Sequence, residues 1–395
     1  MLRLYISVIT VLMSLASSVY AMPSFARQMG VSCNTCHSQN AYPSLNAFGR
    51  QFKASGYTML GKQGMIESSD KKNFLSLPET LNASFVVKIR GKDGDGSARK
   101  LEFPDEAAVV IGGRISEHVG SFIEVGYDSA DDKFGLANFK LPITYTLENY
   151  TLGFVPYRTD GFGPSASFEV LNTGAVRNAR VLEERKVISA QQYIGTASEA
   201  EGLGLYLYTD MWNIVYSAWV PTNGTINDYA PANYARVVLT PRLGEWDIGF
   251  GGQAWWGTAK RDHDDSGLTP RLEEKTDAFA LDFQAMGSIN ELPLSFFVTY
   301  ASAENDPLSI YNKGVNTKSA ITFLSEVAIS PSVFMLSAGY RDANNGKASD
   351  ASDDAGIIGI KYFFMENVEF QLDYTHYLDQ SVNNNQVLFM LYSAF

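Results

Sequence analysis

From about residue 79 to Phe395, apolar side chains alternate with polar or small side chains in segments of about ten residues. Residues 368–375 alternate at every position, and residues 292–300 and 203–207 follow the same period of two. A period of two places successive side chains on opposite faces of a β-strand. We therefore predict that residues 79–395 are all-β.

Two classes of β-protein share this period, the soluble β-sandwich and the transmembrane β-barrel. Aromatic residues gather at the segment ends, as the interfacial girdles of membrane proteins require; examples are Tyr206, Tyr208, Trp212, Trp219, Trp246, Trp255 and Trp256. Short turns alternate with long polar loops, as in outer-membrane barrels. The pattern thus predicts a transmembrane outer-membrane β-barrel with one face in contact with lipid.

The number of strands follows from the tight turns, which we predict near Glu117, Glu148, Asp210, Gly244, Asn290, Pro331 and Asn367. Seven hairpins with one first and one closing strand give a barrel of about 16 strands. This count requires residues 159–199 to form one long outer loop. Such a loop could fold into the lumen like the constricting loop of porins, whereas two strands hidden within it would give 18.

The composition of the chain excludes several other classes of protein. Its 395 residues include 43 acidic and 31 basic side chains, with a formal net charge of −12, and 45% are hydrophobic. This hydrophobic content excludes a disordered chain, and no run beyond residue 21 approaches the roughly 20 apolar residues of a spanning helix. The acidic balance without a basic block predicts no nucleic-acid partner.

Residues 1–21 have the features of a secretory signal peptide. Arg3 supplies a positive start, an apolar run follows, and Val19-Tyr20-Ala21 forms a small-x-small cleavage site. Together with the barrel pattern, this predicts a protein of the outer membrane of a Gram-negative bacterium.

The two cysteines of the chain lie in the motif Cys33-Asn34-Thr35-Cys36-His37. In C-x-x-C-H the two thiols add to the vinyl groups of a haem, and the histidine becomes the proximal ligand of the iron. We predict that Cys33 and Cys36 bind one covalent haem c and that His37 ligates its iron. Residues 22–78 would then form a small α-helical monohaem cytochrome c segment.

A disulfide redox motif and half of a zinc site are the alternatives for these two cysteines. A thioredoxin-type motif expects a βαβ context, which is missing here. A zinc site needs further cysteine or histidine at metal spacing, and His118, His263 and His376 lie far along the chain.

Residues 43–57 are predicted to form one short helix, capped by Ser44 and ended by Gly56. Its apolar face, which could lie against the haem or against protein, consists of Leu45, Phe48 and Phe52. Arg50 and Lys53 could neutralise the haem propionates or face solvent.

The sequence identifies the second axial ligand of the iron less directly than the proximal ligand His37. We select Met59, because it follows the helix at a distance that lets the chain fold back over the haem. A thioether ligand raises the reduction potential of a haem, which suits an acceptor for a weak reductant. Met65, His118 and an open position remain alternatives.

Acidic residues occupy the predicted outer loops, at residues 128–132, 262–265 and 350–354. Further carboxylates take inward-facing strand positions: Glu124, Asp282, Glu326, Glu369 and Asp373. A negative mouth and lumen would concentrate cations, and carboxylates are hard ligands that suit ferrous iron. The alternative is that these loops are merely solvated.

Residues 25–30, the C-x-x-C-H motif and residues 43–57 together resemble the fused monohaem cytochrome–porins of bacterial outer membranes, whose best-known members are iron oxidases. The motif match covers about 35 residues, and the rest of the chain agrees in barrel pattern and length. The resemblance implies one-electron oxidation of extracellular Fe(II), with the electron passed to a periplasmic c-type cytochrome. Such an activity would make the chain an iron(II):cytochrome c oxidoreductase. The resemblance assigns haem attachment to Cys33 and Cys36 and iron ligation to His37. It also suggests Met59 as the second axial ligand.

Two other functions are compatible with the same sequence. One is a cation-selective porin with an accessory haem segment, and the other is an electron conduit for a donor other than iron. For electron transfer we expect the N-terminal segment to enter the barrel from the periplasm and to plug its lumen.

Overall fold

The computed structural model describes residues 23–38, 44–66, 77–94, 97–128, 133–175, 182–222, 230–261, 272–379 and 385–395. The predicted signal peptide lies outside these residues, as do the acidic cluster at 262–265 and most of the one at 128–132.

The described residues form an antiparallel β-structure with a few short helices. The strands are β1 (Ala83–Gly94), β2 (Ser97–Arg114), β3 (Gly120–Asp128), β4 (Lys133–Lys140), β5 (Ile143–Thr146), β6 (Thr151–Thr159), β7 (Ala200–Tyr208), β8 (Trp212–Val220), β9 (Ala232–Leu239), β10 (Arg242–Leu243), β11 (Trp246–Trp256), β12 (Thr258–Arg261), β13 (Leu272–Lys275), β14 (Ala278–Ile289), β15 (Leu292–Ala303), β16 (Lys318–Ser330), β17 (Phe334–Asn345), β18 (Ala355–Met365), β19 (Val368–Tyr377) and β20 (Asn385–Ala394). The helices are Pro23–Met29, Ala47–Ala54, Arg185–Ile188 and Ala190–Ile194, with 3-10 turns at Cys33–Thr35 and Gly163–Ala166.

The sheet closes on itself because β1 pairs with both β2 and β20. β4 and β5 both pair with β6, and β9 and β10 both pair with β11, so each of these couples is one barrel strand with a break. The hairpin of β12 and β13 forms a separate two-stranded sheet. The described residues therefore form a closed barrel of 16 antiparallel strands. The prediction of 16 is confirmed, and the alternative of 18 is wrong.

Every predicted tight turn falls between two consecutive barrel strands. Gly244, Asn290 and Asn367 have positive φ angles of 63°, 49° and 60°, a conformation that glycine and asparagine adopt most readily. These turns lie at one end of the barrel, together with the start of β1 and the end of β20; we call this the turn end. The opposite end carries the long connections, and we call it the loop end.

The two faces of the barrel wall have opposite character. On β8, Ile214 and Tyr216 face outward with 46% and 41% of their surface exposed, whereas Asn213 and Ser217 face inward and are buried. Exposed apolar residues outside and buried polar residues inside are the arrangement of a barrel that stands in lipid.

The connection between β6 and β7 folds into the lumen. In its described part, the amide of Ala190 donates to Thr299 Oγ1 of β15 at 2.8 Å. Arg341 of β17 donates to the Lys186 carbonyl oxygen at 3.2 Å. The prediction of one long loop that enters the barrel is therefore confirmed. We call this connection, described at residues 160–175 and 182–199, the lumen loop.

The N-terminal segment, of which the structure describes residues 23–38 and 44–66, occupies the interior at the turn end. The Ser24 amide donates to Ser84 Oγ of β1 at 2.8 Å, and Thr144 Oγ1 of β5 donates to the Ser55 carbonyl oxygen at 3.0 Å. Both barrel partners are buried inward-facing residues. The segment is therefore attached to the wall from within.

Candidate haem site

The residues of the C-x-x-C-H motif (33–37) form one tight turn. The amides of Cys36 and His37 both donate to the Cys33 carbonyl oxygen at 3.0 Å. The structure describes both cysteines, which are partly exposed and are not joined by a disulfide bond. The turn thus brings together the three predicted residues, and two thiols beside one imidazole are the donor set that covalent haem attachment requires.

Asn46 connects this turn to the helix Ala47–Ala54. Its side chain accepts from the Gly49 amide at 3.0 Å and donates to the Thr35 carbonyl oxygen at 3.1 Å. Its backbone amide donates to the Cys36 carbonyl oxygen at 2.9 Å. One residue therefore caps the helix and closes the motif turn.

The structure corrects the predicted bounds of this helix. Its N-cap is Asn46, two residues after the predicted Ser44, because the Asn46 side chain reaches the first free amides. Ser44 is instead hydrogen-bonded to Asn172 of the lumen loop. The helix ends at Ala54 with Ser55 as C-cap, and Gly56 follows with a φ of 65°.

Gly49 is where the helix meets the motif turn. A Cβ atom at this position would lie 2.2 Å from the Cys36 carbonyl oxygen and 3.0 Å from the Leu45 side chain. Any side chain there would collide with the backbone of the turn. The close approach explains why a glycine occupies the middle of a helix that otherwise loses stability by it.

Four aromatic residues surround the far end of this helix. The Phe25 ring stacks on Tyr57 with the ring centroids 4.6 Å apart. It meets Phe52 edge-on at a centroid distance of 5.4 Å, and its centroid lies 6.4 Å from that of Phe122 of β3. Phe52 is 4% exposed, whereas Leu45 and Phe48 of the predicted apolar face are only half-buried. Burial raises the pKa of Tyr57, so its phenol stays neutral.

The side chain of Arg50 contacts the barrel wall. It is 2% exposed and forms an ion pair with Asp247 of β11, with two nitrogen–oxygen distances of 2.9 Å. Arg50 therefore has a protein partner and does not face solvent. At the end of the same helix, Tyr206 of β7 donates to the Ala54 carbonyl oxygen at 2.6 Å.

Lys53 lies in the lumen near Glu169 of the lumen loop. Burial lowers the pKa of this ammonium group, and the negative charge of Glu169 partly opposes the shift.

Met59 lies beside the helix Pro23–Met29. The buried side chain of Gln28 donates to the Met59 carbonyl oxygen at 3.1 Å and to that of Tyr57 at 2.7 Å. Gln28 also accepts from the Arg114 amide of β2 at 3.0 Å. These bonds fix the backbone of the chain around Met59, and its role as a haem ligand stays a prediction.

Met65 and His118 are the two alternative ligands. Met65 forms a β-bridge with Pro78. His118 is exposed in the turn between β2 and β3, where its ring stacks on the outward-facing Tyr145 and its Nδ1 lies 3.1 Å from the Thr144 carbonyl oxygen. His118 is therefore on the outside of the wall, whereas the C-x-x-C-H turn belongs to the interior segment.

Burial raises the pKa of the Cys36 thiol to about 11, with a smaller contribution from the neighbouring Cys33. The Cys36 thiol is therefore protonated at neutral pH.

The carboxylates predicted to face inward do so. Asp282, Glu326, Glu369 and Asp373 are at most 6% exposed, and Glu124 accepts from Asn138 of β4 at 2.6 Å. The lumen is less negative than the acidic residues alone suggested, because basic side chains stand among them.

Arg236 of β9 is the clearest of these basic residues. It is fully buried, and it binds Glu169 of the lumen loop at 2.5 Å and Asp282 of β14 at 2.6 Å. Its inward position follows from the alternation with outward-facing Val237, but nothing in the sequence marks it as the partner of a carboxylate. The pairing itself depends on the path of the lumen loop.

The third acidic cluster, residues 350–354, belongs to a folded loop. Asp353 binds Arg341 at 2.6 Å and accepts from the Tyr193 hydroxyl at 3.0 Å. Within the described residues, no three side chains of histidine, cysteine, aspartate or glutamate form a group that could hold a metal ion.

Comparison with solved structures gives the fold. OmpF of Salmonella typhi, in a complex with daunomycin, matches 80% of this chain and 97% of its own with a TM-score of 0.50 and 12% identity. The fold is that of an outer-membrane β-barrel. An OmpT loop-deletion mutant of Vibrio cholerae (TM-score 0.48, 14% identity) and an anion-selective porin of Comamonas acidovorans (0.49, 10%) also match 80% of the chain and 99% of their own.

Models of known protein families give no match to this sequence, and curated protein sequences give none either. None of the helices in the described ranges is long and apolar enough to span a membrane.

Proposed function

We propose that this chain is an outer-membrane electron-transfer protein that oxidises extracellular Fe(II), one electron at a time, and passes the electron to a periplasmic c-type cytochrome. One observation carries the proposal: the C-x-x-C-H turn belongs to a segment that is attached inside the turn end of a closed barrel. A motif for redox cofactor attachment has no use in a simple pore.

Three residues of the turn would hold the cofactor. Cys33 and Cys36 would form the thioether bonds, and His37 would be the proximal ligand. A c-type haem in this site would supply a one-electron iron couple. We propose Met59 as the second ligand, because a thioether raises the potential toward the range that accepts an electron from Fe(II).

The orientation expected for an outer-membrane barrel supports opposite sides for the two partners. Outer-membrane barrels have short turns in the periplasm and long loops outside the cell. The turn end, with the N-terminal segment, would therefore face the periplasmic cytochrome, and the loop end would face Fe(II). Ferric product, which is poorly soluble at neutral pH, would then form outside the cell.

The protein reduces the distance that an electron must cross. A hydrocarbon layer of roughly 30 Å separates the two sides of a bilayer. Arg50 and Tyr206 attach the motif helix to the interior of the wall rather than below it. A cofactor on this segment would be shielded from lipid and closer to the outer surface than any periplasmic protein.

The test is haem attachment followed by Fe(II) titration of the full-length protein. We expect covalent haem in the wild type and in Asn34→Ala, whose exposed side chain lies between the two cysteines. Cys33→Ala with Cys36→Ala should lose it. The oxidised wild type, mixed with Fe(II) at neutral pH, should show a reduced-haem spectrum within milliseconds to seconds. Absence of covalent haem in the wild type would refute the proposal.

A cation-selective porin with an accessory haem segment is the second candidate. The similarity of the fold to OmpF and a lumen loop that narrows the barrel favour it. Planar-bilayer conductance separates the two functions: a stable cation conductance with no reduction by Fe(II) supports the porin. Reduction by an organic or mineral donor, but not by Fe(II), supports a conduit for another donor.

A further inference from the structure

The inner face of β19 carries a continuous row of polar side chains. Glu369, Gln371, Asp373 and Thr375 take alternate positions along the strand and are 3%, 0%, 0% and 1% exposed. Alternate residues of a strand are about 6.6 Å apart, so the row extends for roughly 20 Å along the barrel. It begins two residues after the turn at Asn367 and approaches the loop end.

Several polar atoms of this row are buried without a partner. Gln371 Oε1, Asp373 Oδ1 and Thr375 Oγ1 have no hydrogen-bond partner among the described residues. The same is true of Lys361 Nζ on β18, which stands directly opposite Gln371 in the strand register. An unsatisfied buried polar atom costs about 1–3 kcal/mol, and native proteins usually satisfy such atoms with ordered water.

This group combines one strong donor with several acceptors. The Lys361 ammonium offers three N–H bonds, and the facing oxygens of Gln371 and Asp373 accept. A site with several convergent polar partners is one that holds water, whereas an apolar cavity stays dry.

The charge of this sector favours protons. Glu326 of β16, Glu369 and Asp373 contribute three carboxylates, and Lys361 contributes one ammonium. Ser337 Oγ donates to Glu326 at 3.3 Å. A buried sector with more carboxylates than cations binds a proton more readily than an isolated carboxyl group in water.

The lumen loop contacts the middle of the row. Asp373 Oδ2 accepts from the Gln371 side chain at 2.6 Å and from the Glu183 amide at 3.1 Å. The Glu183 carboxylate lies 3.8 Å from Lys88 and 3.4 Å from Arg90 of β1. Further charged groups of this cluster are Lys92 of β1, Glu102, Asp105 and Glu106 of β2, and Glu184 and Arg185 of the lumen loop.

We propose that the inner face of β18 and β19 binds a file of ordered water molecules that conducts protons along the lumen, between Glu369 at the turn end and Thr375 toward the loop end. Asp373, in the middle of the file, accepts a proton from one neighbouring water and releases it to the next. A proton enters at one end as another leaves at the other, and no electron moves. The path is therefore independent of the haem.

Proton flux into proteoliposomes tests this path. Full-length protein is reconstituted in vesicles with a trapped pH-sensitive dye, and the outside is acidified with potassium and valinomycin present to balance charge. Wild-type vesicles should acidify faster than protein-free vesicles. Asp373→Asn removes the central proton acceptor, and Thr375→Val removes a hydroxyl with little change of volume.

We expect each variant to slow the flux about tenfold, the effect of roughly 1.4 kcal/mol on a barrier. Asp342→Asn, on an exposed position of β17, is the matched control and should match the wild type. Folding is checked by heat-modifiable gel mobility. If Asp373→Asn does not fold, the proton flux of Thr375→Val tests the proposal. Wild-type flux equal to that of empty vesicles, or unchanged flux in the folded variants, would overturn the proposal.

Discussion

Arg50 and Asp247 join the C-x-x-C-H segment to the barrel wall by a bidentate ion pair. Both nitrogen–oxygen distances are 2.9 Å, and the partners are 197 positions apart in the chain. Arg50 also donates to the Leu45 carbonyl oxygen at 3.2 Å, one position before the helix N-cap. The pair therefore fixes the motif helix relative to β11.

Arg50→Gln should release the segment from the wall. Arg50 is 2% exposed and Asp247 is 19% exposed, so we expect a cost between those of buried and surface pairs, about 2–3 kcal/mol. Limited proteolysis of the purified protein should cleave the N-terminal segment faster, and the barrel should remain intact. Arg99→Gln is the control, because its pair with Asp93 is exposed and contributes little. Equal cleavage of both variants would show that the ion pair does not hold the segment.

Gly49→Ala should disrupt the motif turn. In an open helix this change stabilises by about 1 kcal/mol, but here the new Cβ would lie 2.2 Å from the Cys36 carbonyl oxygen. We expect a lower yield of covalent haem together with faster proteolysis of the segment. Gly135→Ala on β4 is the matched control, since nothing lies within 4 Å of its Cβ position. A normal haem yield in Gly49→Ala would mean that the helix can move away from the turn.

The barrel could be predicted from the sequence because its signals are local. Each turn depends on a few residues such as Asn290 and Gly244, and each strand shows its two faces by alternation. Because the side-chain period of a strand is two, inward positions such as Asp282 and Glu326 can be read directly from the chain.

The pairings within the lumen could not be predicted in this way. Arg236 meets Glu169 only because the lumen loop returns to β9, and Arg50 meets Asp247 only because the motif helix enters the barrel. The same limit applies to the helix cap. Ser44 and Asn46 are both good capping residues, and the position of the turn before them selects Asn46.

Gly251 of β11 makes room for the buried ion pair of Arg236 and Asp282. A Cβ atom there would lie 2.5 Å from the Asp282 carboxylate and 2.6 Å from an Arg236 nitrogen. Gly251→Ala should therefore distort this pair and destabilise the barrel by about 1–3 kcal/mol, measured as a lower temperature of the gel-mobility shift. The neighbouring Gly252→Ala is the control, because its nearest contact is an ordinary 3.5 Å to Leu281. If both variants showed the same temperature of the gel-mobility shift, a packing role for Gly251 would be contradicted.

Lys53→Met should stabilise the protein at neutral pH. Burial lowers the pKa of Lys53 in the folded state, so the unfolded chain binds its proton more tightly. The stability contributed by Lys53 is then fully present above its unfolded pKa of about 10.4 and is lost as pH falls toward the folded pKa. Methionine has a similar length and no charge, which removes this loss. Thermal melting should show a gain for Lys53→Met at pH 7 that shrinks as the pH rises toward about 10.4, and no such pH-dependent gain for the exposed Lys313→Met. A loss of stability at pH 7 would instead mean that the attraction between Lys53 and Glu169 outweighs the cost of burial.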